Sequence, residues 1–242
     1  MKSIFALAII LFAFSNCTKT NNQKNLITVK SSPEVKVVGA IKNVMKKGDL
    51  SDRILLDTIR TKKGLYGLGP FTGLKGEILV IDGNFHVSRM VSDSTMVVEE
   101  LNKVKAPFFV YSNINRWKEM ILDTPINSIK ELESWLDKKA SGNKNPFAFR
   151  LIGKVSRAKV HVQNLPEGTK VRSPKDAHSG QVNFEIKNQS AEILGFFSRN
   201  HQRIFTHHDS FLHMHLKTDD GTLMGHLDEL EFAKMTLYLP NH

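Results

Sequence analysis

The segment "FLHMHLKTDDGTLMGHLDEL", residues 211–230, places His213, His215 and His226 within fourteen positions around an Asp-Gly pair. Neutral imidazoles are common ligands of divalent transition metals, so the first question is whether these rings can meet. Side chains alternate faces along a strand, so His213 and His215 share one face while Met214 takes the other. A two-residue hairpin loop at Asp220-Gly221 sets Asp219 against Thr222, Lys217 against Met224 and His215 directly against His226. Opposed residues share a face, so the three rings converge; a one-residue slip would send His226 to the far side. Three imidazoles with an open fourth position suit a catalytic Zn2+ or a related ion, whereas structural zinc is commonly closed by four ligands, often cysteines. The bland alternative is a chance His-x-His on an exposed strand, against which the third histidine weighs. His207 and His208 precede the hairpin in a loop from which they could approach the site. His86, His178, His201 and His242 read as surface groups.

The elements that must position such a site follow from periodicity and turn chemistry. Val35, Val38, Ile41, Val44 and Met45 recur at helical spacing, with Gly48 as a stop, which predicts an amphipathic helix over 35–46. In "FTGLKGEILVIDGNFHVSRM" Glu77 leads an apolar strand, Asp82-Gly83 signals a tight hairpin, and Phe85 and Val87 lie on the returning strand. "PFFVYSNI" reads as another strand. Ser128 and Glu131 stand in the relation of a capping box, with Ile129, Leu132 and Leu136 marking one helix face. After Pro146 the texture turns to β-type runs: "FAFRLIGKVSRAKVHV", "QVNFEIKNQSAEILGFFS", the histidine segment and "LEFAKMTLYL". The expected fold class is α/β of the α+β kind. Residues 35–145 form a half with a mixed β-sheet and helices, packed against an antiparallel, barrel-like β half over 146–242 that carries the three-histidine metal site.

A chain of 242 residues with 40% apolar content can bury a sizeable core. Its start is different in kind: Lys2, the apolar run "IFALAIILFAF" and then Ser15-Asn16-Cys17 have the layout of a signal peptide, too short to span a bilayer. Cys17 is the only cysteine and stands where a bacterial lipoprotein signal has its lipidated residue, although Phe14 and Asn16 depart from the usual pattern. The expectation is a signal peptide over 1–16, a polar tether over 17–34, and an exported, membrane-anchored lipoprotein facing the periplasm or the cell exterior. The formal charge of +10 is spread through the chain without a nucleic-acid motif, which argues against a nucleic-acid partner.

With these residues in view the sequence resembles the α-acetolactate decarboxylases. "GLGPFTGLKGEILVIDGNFH", "FAFRLIG", "AEILGFFS", "FLHMHLKTDDGTLMGHLDELEF" and "MTLYLPN" resemble that family's segments in the same order, from about Val35 to Asn241. The resemblance implies that His213, His215 and His226 hold a zinc ion, and that Glu77, otherwise an ordinary glutamate at a strand start, is brought to the metal from the other half. It also implies conversion of 2-acetolactate to acetoin and carbon dioxide, in the acetoin and butanediol pathway. Loss of carbon dioxide from a β-keto acid leaves an enolate-like carbanion, which a Lewis acid stabilises and a carboxyl of raised pKa can protonate.

Three departures stand out. Gly69-Pro70-Phe71 replaces the family's Gly-Thr-Phe. The family's active-site arginine falls on or near His161, with Arg157 and Arg172 as the nearest arginines that could stand in. A further glutamate that the family carries in a C-terminal tail has no counterpart. The catalytic candidates are therefore Glu77, His161 and Arg157. The expected partners are a small anionic 2-hydroxy-3-oxo acid as substrate and a lipid anchor, with a homodimer as the candidate assembly. Two other readings remain open: another zinc-dependent lyase or hydrolase of small carbonyl compounds on the same scaffold, and a non-catalytic metal-binding lipoprotein.

Overall fold

The structure, a computed structural model, describes residues 33–140 and 144–241. The expected signal peptide, Cys17, His242 and all but the last residues of the tether lie outside the described residues. The first part of the chain carries strands β1 (Lys36–Val38), β2 (Ile54–Leu55), β3 (Leu65–Pro70), β4 (Glu77–Ile81), β5 (Asn84–Met90), β6 (Met96–Glu100), β7 (Lys105–Ala106) and β8 (Phe109–Asn113), with helix α1 (Ile41–Lys47) after β1. Next along the chain are β9 (Trp117–Leu122), α2 (Ile129–Lys139), β10 (Phe147–Val162), α3 (Pro174–Ala177), β11 (Val182–Phe197), β12 (Leu212–Thr218), β13 (Met224–Glu231) and β14 (Met235–Pro240).

The α+β class is the one expected, and the strands fall into two six-stranded sheets, with β2 and β7 forming a separate pair. The first sheet runs β1-β8-β3-β4-β5-β6 and, where a mixed sheet is expected, every pairing is antiparallel. The second runs β11-β12-β13-β10-β14-β9, and an added β10–β11 pairing closes β10, β11, β12 and β13 into a ring, the barrel-like feature. The division between the sheets does not fall near residue 145. Strand β9 pairs with β14 as an edge of the second sheet, and α2 buries Leu132 and Leu136 in that sheet's core, so the change of sheet comes after Asn113.

Helix α2 starts as its sequence dictates: the Ser128 hydroxyl accepts from the Glu131 N–H at 3.1 Å, and the Glu131 carboxylate accepts from the Asn127 N–H at 2.8 Å. The Asp82-Gly83 turn is also as expected, with positive φ of 48° and 85° and Ile81 paired with Asn84. The predicted helix over 35–46 is shorter. Its first part is β1, paired with β8, and Gly39, at φ 71°, breaks the chain before α1 begins. Val35 and Val37 pack together against the layer between the sheets: a period of two had been hidden under a coincidental helical one. The α1 C-terminus is the expected one, with Gly48 left-handed and its N–H directed to the Asn43 and Val44 carbonyls.

Alternation along β4 determines which groups meet the second sheet. Ile78 and Val80 join the core on the outer side of the first sheet. Leu79 joins Leu68, Val110, Leu194, Phe196 and Met224 in an apolar layer between the sheets, so Glu77, two residues before Leu79, faces the second sheet. On the second sheet Met214, Leu216 and Leu227 fill the inner core, which leaves His213, His215 and His226 on the face turned toward β4.

Gly225 lets β13 lie close to β10 beside this face: a β-carbon there would stand 2.4 Å from the His161 carbonyl oxygen. Gly225→Ala should therefore force the strands apart and cost about 1–3 kcal/mol, measured by chemical denaturation.

Candidate metal and active site

The histidine register is the one deduced from the turn: His215 pairs with His226, Leu216 with Gly225 and Lys217 with Met224. The loop itself is wider than two residues. The Thr218 N–H donates to the Leu223 carbonyl at 2.9 Å, so residues 219–222 form the loop, with the Gly221 N–H donating to the Thr218 carbonyl at 2.9 Å and Gly221 at φ 69°. The Asp220 carboxylate fastens it by accepting from the Thr218 and Thr222 hydroxyls at 2.6 and 2.8 Å. Widening by one residue on each side leaves the pairing unchanged.

The ring centroids of His213, His215 and His226 lie 5.0–5.4 Å apart, and one nitrogen from each ring comes within 4.8 Å of the others. All three side chains are buried, His215 completely. Glu77 arrives from β4, only 3% exposed, with Oε2 3.6 Å from His215 Nε2 and Oε1 accepting from the Gln163 N–H at 3.2 Å. Residues far apart in the chain are thus gathered where the two sheets meet.

His161, on β10, pairs across the strands with His226, and their rings are 4.7 Å apart. Its Nδ1 is 2.8 Å from the Asp228 carboxylate, and its Nε2 is 3.4 Å from the Gln163 side-chain amide. Asp228 reaches the ring because the β10–β13 register shifts there: Lys159 pairs with Glu229 and Val160 with Leu227, leaving Asp228 as a bulge residue. Such bulges re-aim one side chain and recur beside active sites.

A cavity of about 300 Å³ opens beside this group. Glu77, His161, Gln163, His213 and His226 line it, with apolar walls from Ile41, Met45, Pro70 and Phe108. His207 and His208 border it, as their loop position allowed, and the His207 ring lies 5.0 Å from that of His226. His178, expected at the surface, is half-buried at the cavity with its ring 6.1 Å from His161. His86 stands 3.7 Å from Glu100, and His201 is engaged with Ser198 and Phe205; neither borders the cavity.

Arg157 does not reach the cavity. It shares a face of β10 with His161 but lies four residues back, about 13 Å along the strand, where Glu185, Glu229 and Glu231 hold its guanidinium at 3.2–3.9 Å. Arg172 is exposed in a loop. Neither substitutes for an arginine at the His161 position. Gln163, Asp228 and His178 had no signal in the sequence. The one hint is the Leu227–Leu230 spacing: both side chains are core, and an odd spacing on one face requires an irregular strand.

Burial sets the protonation states. It pushes the Glu77 carboxyl well above the usual carboxylate range, with the Gln163 N–H opposing and Asp228 reinforcing the shift. It lowers His215 to about 3, with the neighbouring His161 adding to the effect. His213 and His226 are held well below the ordinary imidazole value, first by burial and then by surrounding imidazoles, and His207 is lowered for the same reason. No well-formed hydrogen bond reaches either ring nitrogen of His215 or the Nδ1 of His213; the Ile78 and Phe205 backbones come near enough to these two rings only to oppose their shifts. Buried nitrogens without partners are costly. Three buried, convergent imidazoles beside a carboxyl are a donor set that fits a divalent cation.

Comparison with known proteins agrees with this geometry. The family model for alpha-acetolactate decarboxylase matches residues 38–241. An alpha-acetolactate decarboxylase of Methanosarcina mazei is 24% identical over 216 residues, covering 89% of this chain and 69% of the relative. One of Brevibacillus brevis is 28% identical over 219 residues, covering 86% and 73%. The crystal structure of the alpha-acetolactate decarboxylase from Bacillus subtilis strain 168 superposes with a TM-score of 0.73 at 20% identity, covering 86% of this chain and 85% of that one. A Staphylococcus aureus protein of unknown function similar to alpha-acetolactate decarboxylase gives 0.72 at 18% identity, over 86% and 85%. The two structures establish the shared fold.

Three measurements test the site. Zinc titration monitored by calorimetry should saturate at about one ion per chain, and His215→Ala should weaken binding by more than the roughly 10–100-fold that loss of a supporting partner costs. In metal-free protein His215 is neutral when folded and takes up a proton near pH 6.5 when unfolded, so the unfolded state binds more protons between these values. Stability should fall as pH drops from about 6.5 toward 3, as followed by urea midpoints, and saturating zinc should raise the midpoints at neutral pH. Arg157→Ala should leave zinc affinity within about twofold of the unchanged chain, since surface ion pairs contribute little; a large loss would place that guanidinium back in the site.

Proposed function

The chain belongs to the alpha-acetolactate decarboxylase family and is a carboxy-lyase, and from that premise we propose that it converts 2-acetolactate to acetoin and carbon dioxide using a zinc ion held by His213, His215 and His226. The observation that carries this reading is the buried, convergent imidazole trio with the buried Glu77 carboxyl beside it on the wall of a mostly apolar cavity. Acetoin formation is the chemistry expected of a butanediol-type pathway, and the leader-like start proposes an exported, lipid-anchored location.

When bound, a divalent ion supplies Lewis-acid stabilisation of the charge that decarboxylation leaves on the ketone oxygen. The protein's own groups do the rest. Ile41, Met45, Pro70 and Phe108 exclude water from the reacting carboxylate, which favours its departure as neutral carbon dioxide. The C–C bond breaks, its electron pair enters the enolate, and a proton must reach the former carboxylate-bearing carbon. Glu77 is the proposed donor because burial keeps its carboxyl protonated above the pH at which an exposed glutamate is charged. The Gln163 N–H holds Oε1, orienting the carboxyl.

His161 is the proposed substrate-orienting group. In its neutral form, with Nδ1–H donating to Asp228, its Nε2 is an acceptor, now facing the Gln163 amide. An acceptor there suits the substrate's hydroxyl, where an arginine could only donate. Arg157 is left out of the mechanism, being held on the outer surface by three glutamates.

Zinc-loaded protein given racemic 2-acetolactate should release acetoin, measured by colorimetry or NMR. Glu77→Gln should keep its bound zinc and lose about 10²–10⁴-fold in kcat, the contribution of a positioned general acid. Zinc retention without turnover by the unaltered chain would sink the decarboxylase reading, and turnover that survives Glu77→Gln would remove Glu77 from proton transfer.

A further inference from the structure

The cavity mouth carries positive charge placed at a cost. Lys42, Lys46 and Arg203 all border the cavity and all are exposed. None has an acidic partner within ion-pair reach among the described residues, in contrast to Arg157 with its three glutamates or Arg53 with Asp49. Lys42 lies in the first turn of α1, which contains no acidic residue, so it adds to the positive end of the helix. Lys46 follows it by four positions and faces the same way, a like-charge spacing that weakens a helix. Arg203 sits at φ 65°, a left-handed conformation unfavourable for a residue with a β-carbon. The three are held in one frame, because the Ile41 and Lys42 N–H groups donate to the Ile204 and Arg203 carbonyls at 2.8 and 3.0 Å.

The reacting carboxylate is a poor occupant for such a mouth. Its charge leaves as carbon dioxide forms, so cations gripping it would stabilise the ground state more than the transition state. Cations gripping a second anionic group, remote from the bond that breaks, hold ground and transition states equally and add to kcat/KM. The cavity, about 300 Å³, also has room beyond the short skeleton of 2-acetolactate. Resting on the decarboxylase reading above, we propose that Lys42, Lys46 and Arg203 recognise a second carboxylate, so that this chain selects 2-hydroxy-3-oxo acids whose oxo side chain ends in a carboxylate.

The test uses zinc-loaded full-length protein at low ionic strength and two probes: 2-hydroxy-2-methyl-3-oxoadipate and its distal monomethyl ester. The diacid should exceed the ester about tenfold or more in kcat/KM, mainly through KM, and the difference should shrink as salt rises. Lys42→Ala combined with Arg203→Ala should bring the ratio to within about twofold, while Lys47→Ala, a nearby lysine outside the cavity, should leave it standing. Equal use of diacid and ester by the unaltered chain overturns the proposal, as does a preference that survives the double variant or is lost equally with Lys47→Ala. Failure of the decarboxylase reading is separately visible. Calorimetry with unreactive 2-hydroxy-2-methyladipate and its distal ester reads the mouth without turnover: preferential diacid binding, lost in the double variant, supports the mouth even if no substrate is decarboxylated, and equal binding overturns it.

Discussion

Everything at the centre of this protein depends on taking polar donors out of water between two sheets. Glu77, His161, His213, His215 and His226 are each at most 9% exposed, and burying such groups is costly wherever a polar atom is left without a partner. The apolar layer around them supplies the opposing force: Leu79, Leu194, Phe196 and Met224 are fully buried there, each contributing about 1.5–3 kcal/mol. A cation shared among the three imidazoles would relieve that cost, because the rings that converge include His213 and His215, whose buried nitrogens lack well-formed hydrogen bonds. Folding, metal affinity and protonation state are therefore one problem. The desolvation that lowers the imidazoles, keeping them available for coordination, also pushes the Glu77 carboxyl up.

The local devices around the site serve this closure. Gly225 removes the side chain that would hold β13 away from the His161 backbone. The Asp228 bulge directs a carboxylate to the His161 ring, fixing which nitrogen faces the cavity. Neither is a large energetic contribution. Both act on geometry, where a displacement of an ångström separates a binding site from a cluster of rings.

How much of this could be read in the chain depended on whether the relevant contact was local. The histidine trio was legible because alternation and one turn determine it. The expected two-residue loop was too short, yet the register survived, since residues 219–222 extend the loop equally at both ends; an odd insertion would have sent His226 to the wrong face. The α2 cap and the Asp82-Gly83 turn were legible for the same reason. Glu77 was not, except by resemblance: its Oε1 partner Gln163 lies 86 positions away, and nothing local distinguishes it from a solvent-facing strand start. Helix α1 was overextended because Val35 fits a period of two with Val37 and a helical one with Val38, and only the pairing of β1 with β8 decides between them. The boundary near 145 tracked a change in texture, but β9 and α2 belong by packing to the second sheet.

Charge is distributed by the same logic that governs burial. On the outer face of β10 the exposed Arg157 is surrounded by glutamates, and such pairs, screened by water, contribute little beyond local neutrality. Deep in the site neutrality is enforced differently: desolvation removes the charge from the imidazoles and from Glu77 instead of pairing it. The cavity mouth follows neither pattern: Lys42, Lys46 and Arg203 are exposed there with no acidic partner among the described residues, while the Asp228 carboxylate stays engaged with His161 further in. A cationic rim draws an approaching anion toward the cavity. It also leaves the reacting carboxylate with no protein cation to hold it back once it has passed the rim. That separation of attraction from reaction arises from which groups the fold buries and which it leaves in water.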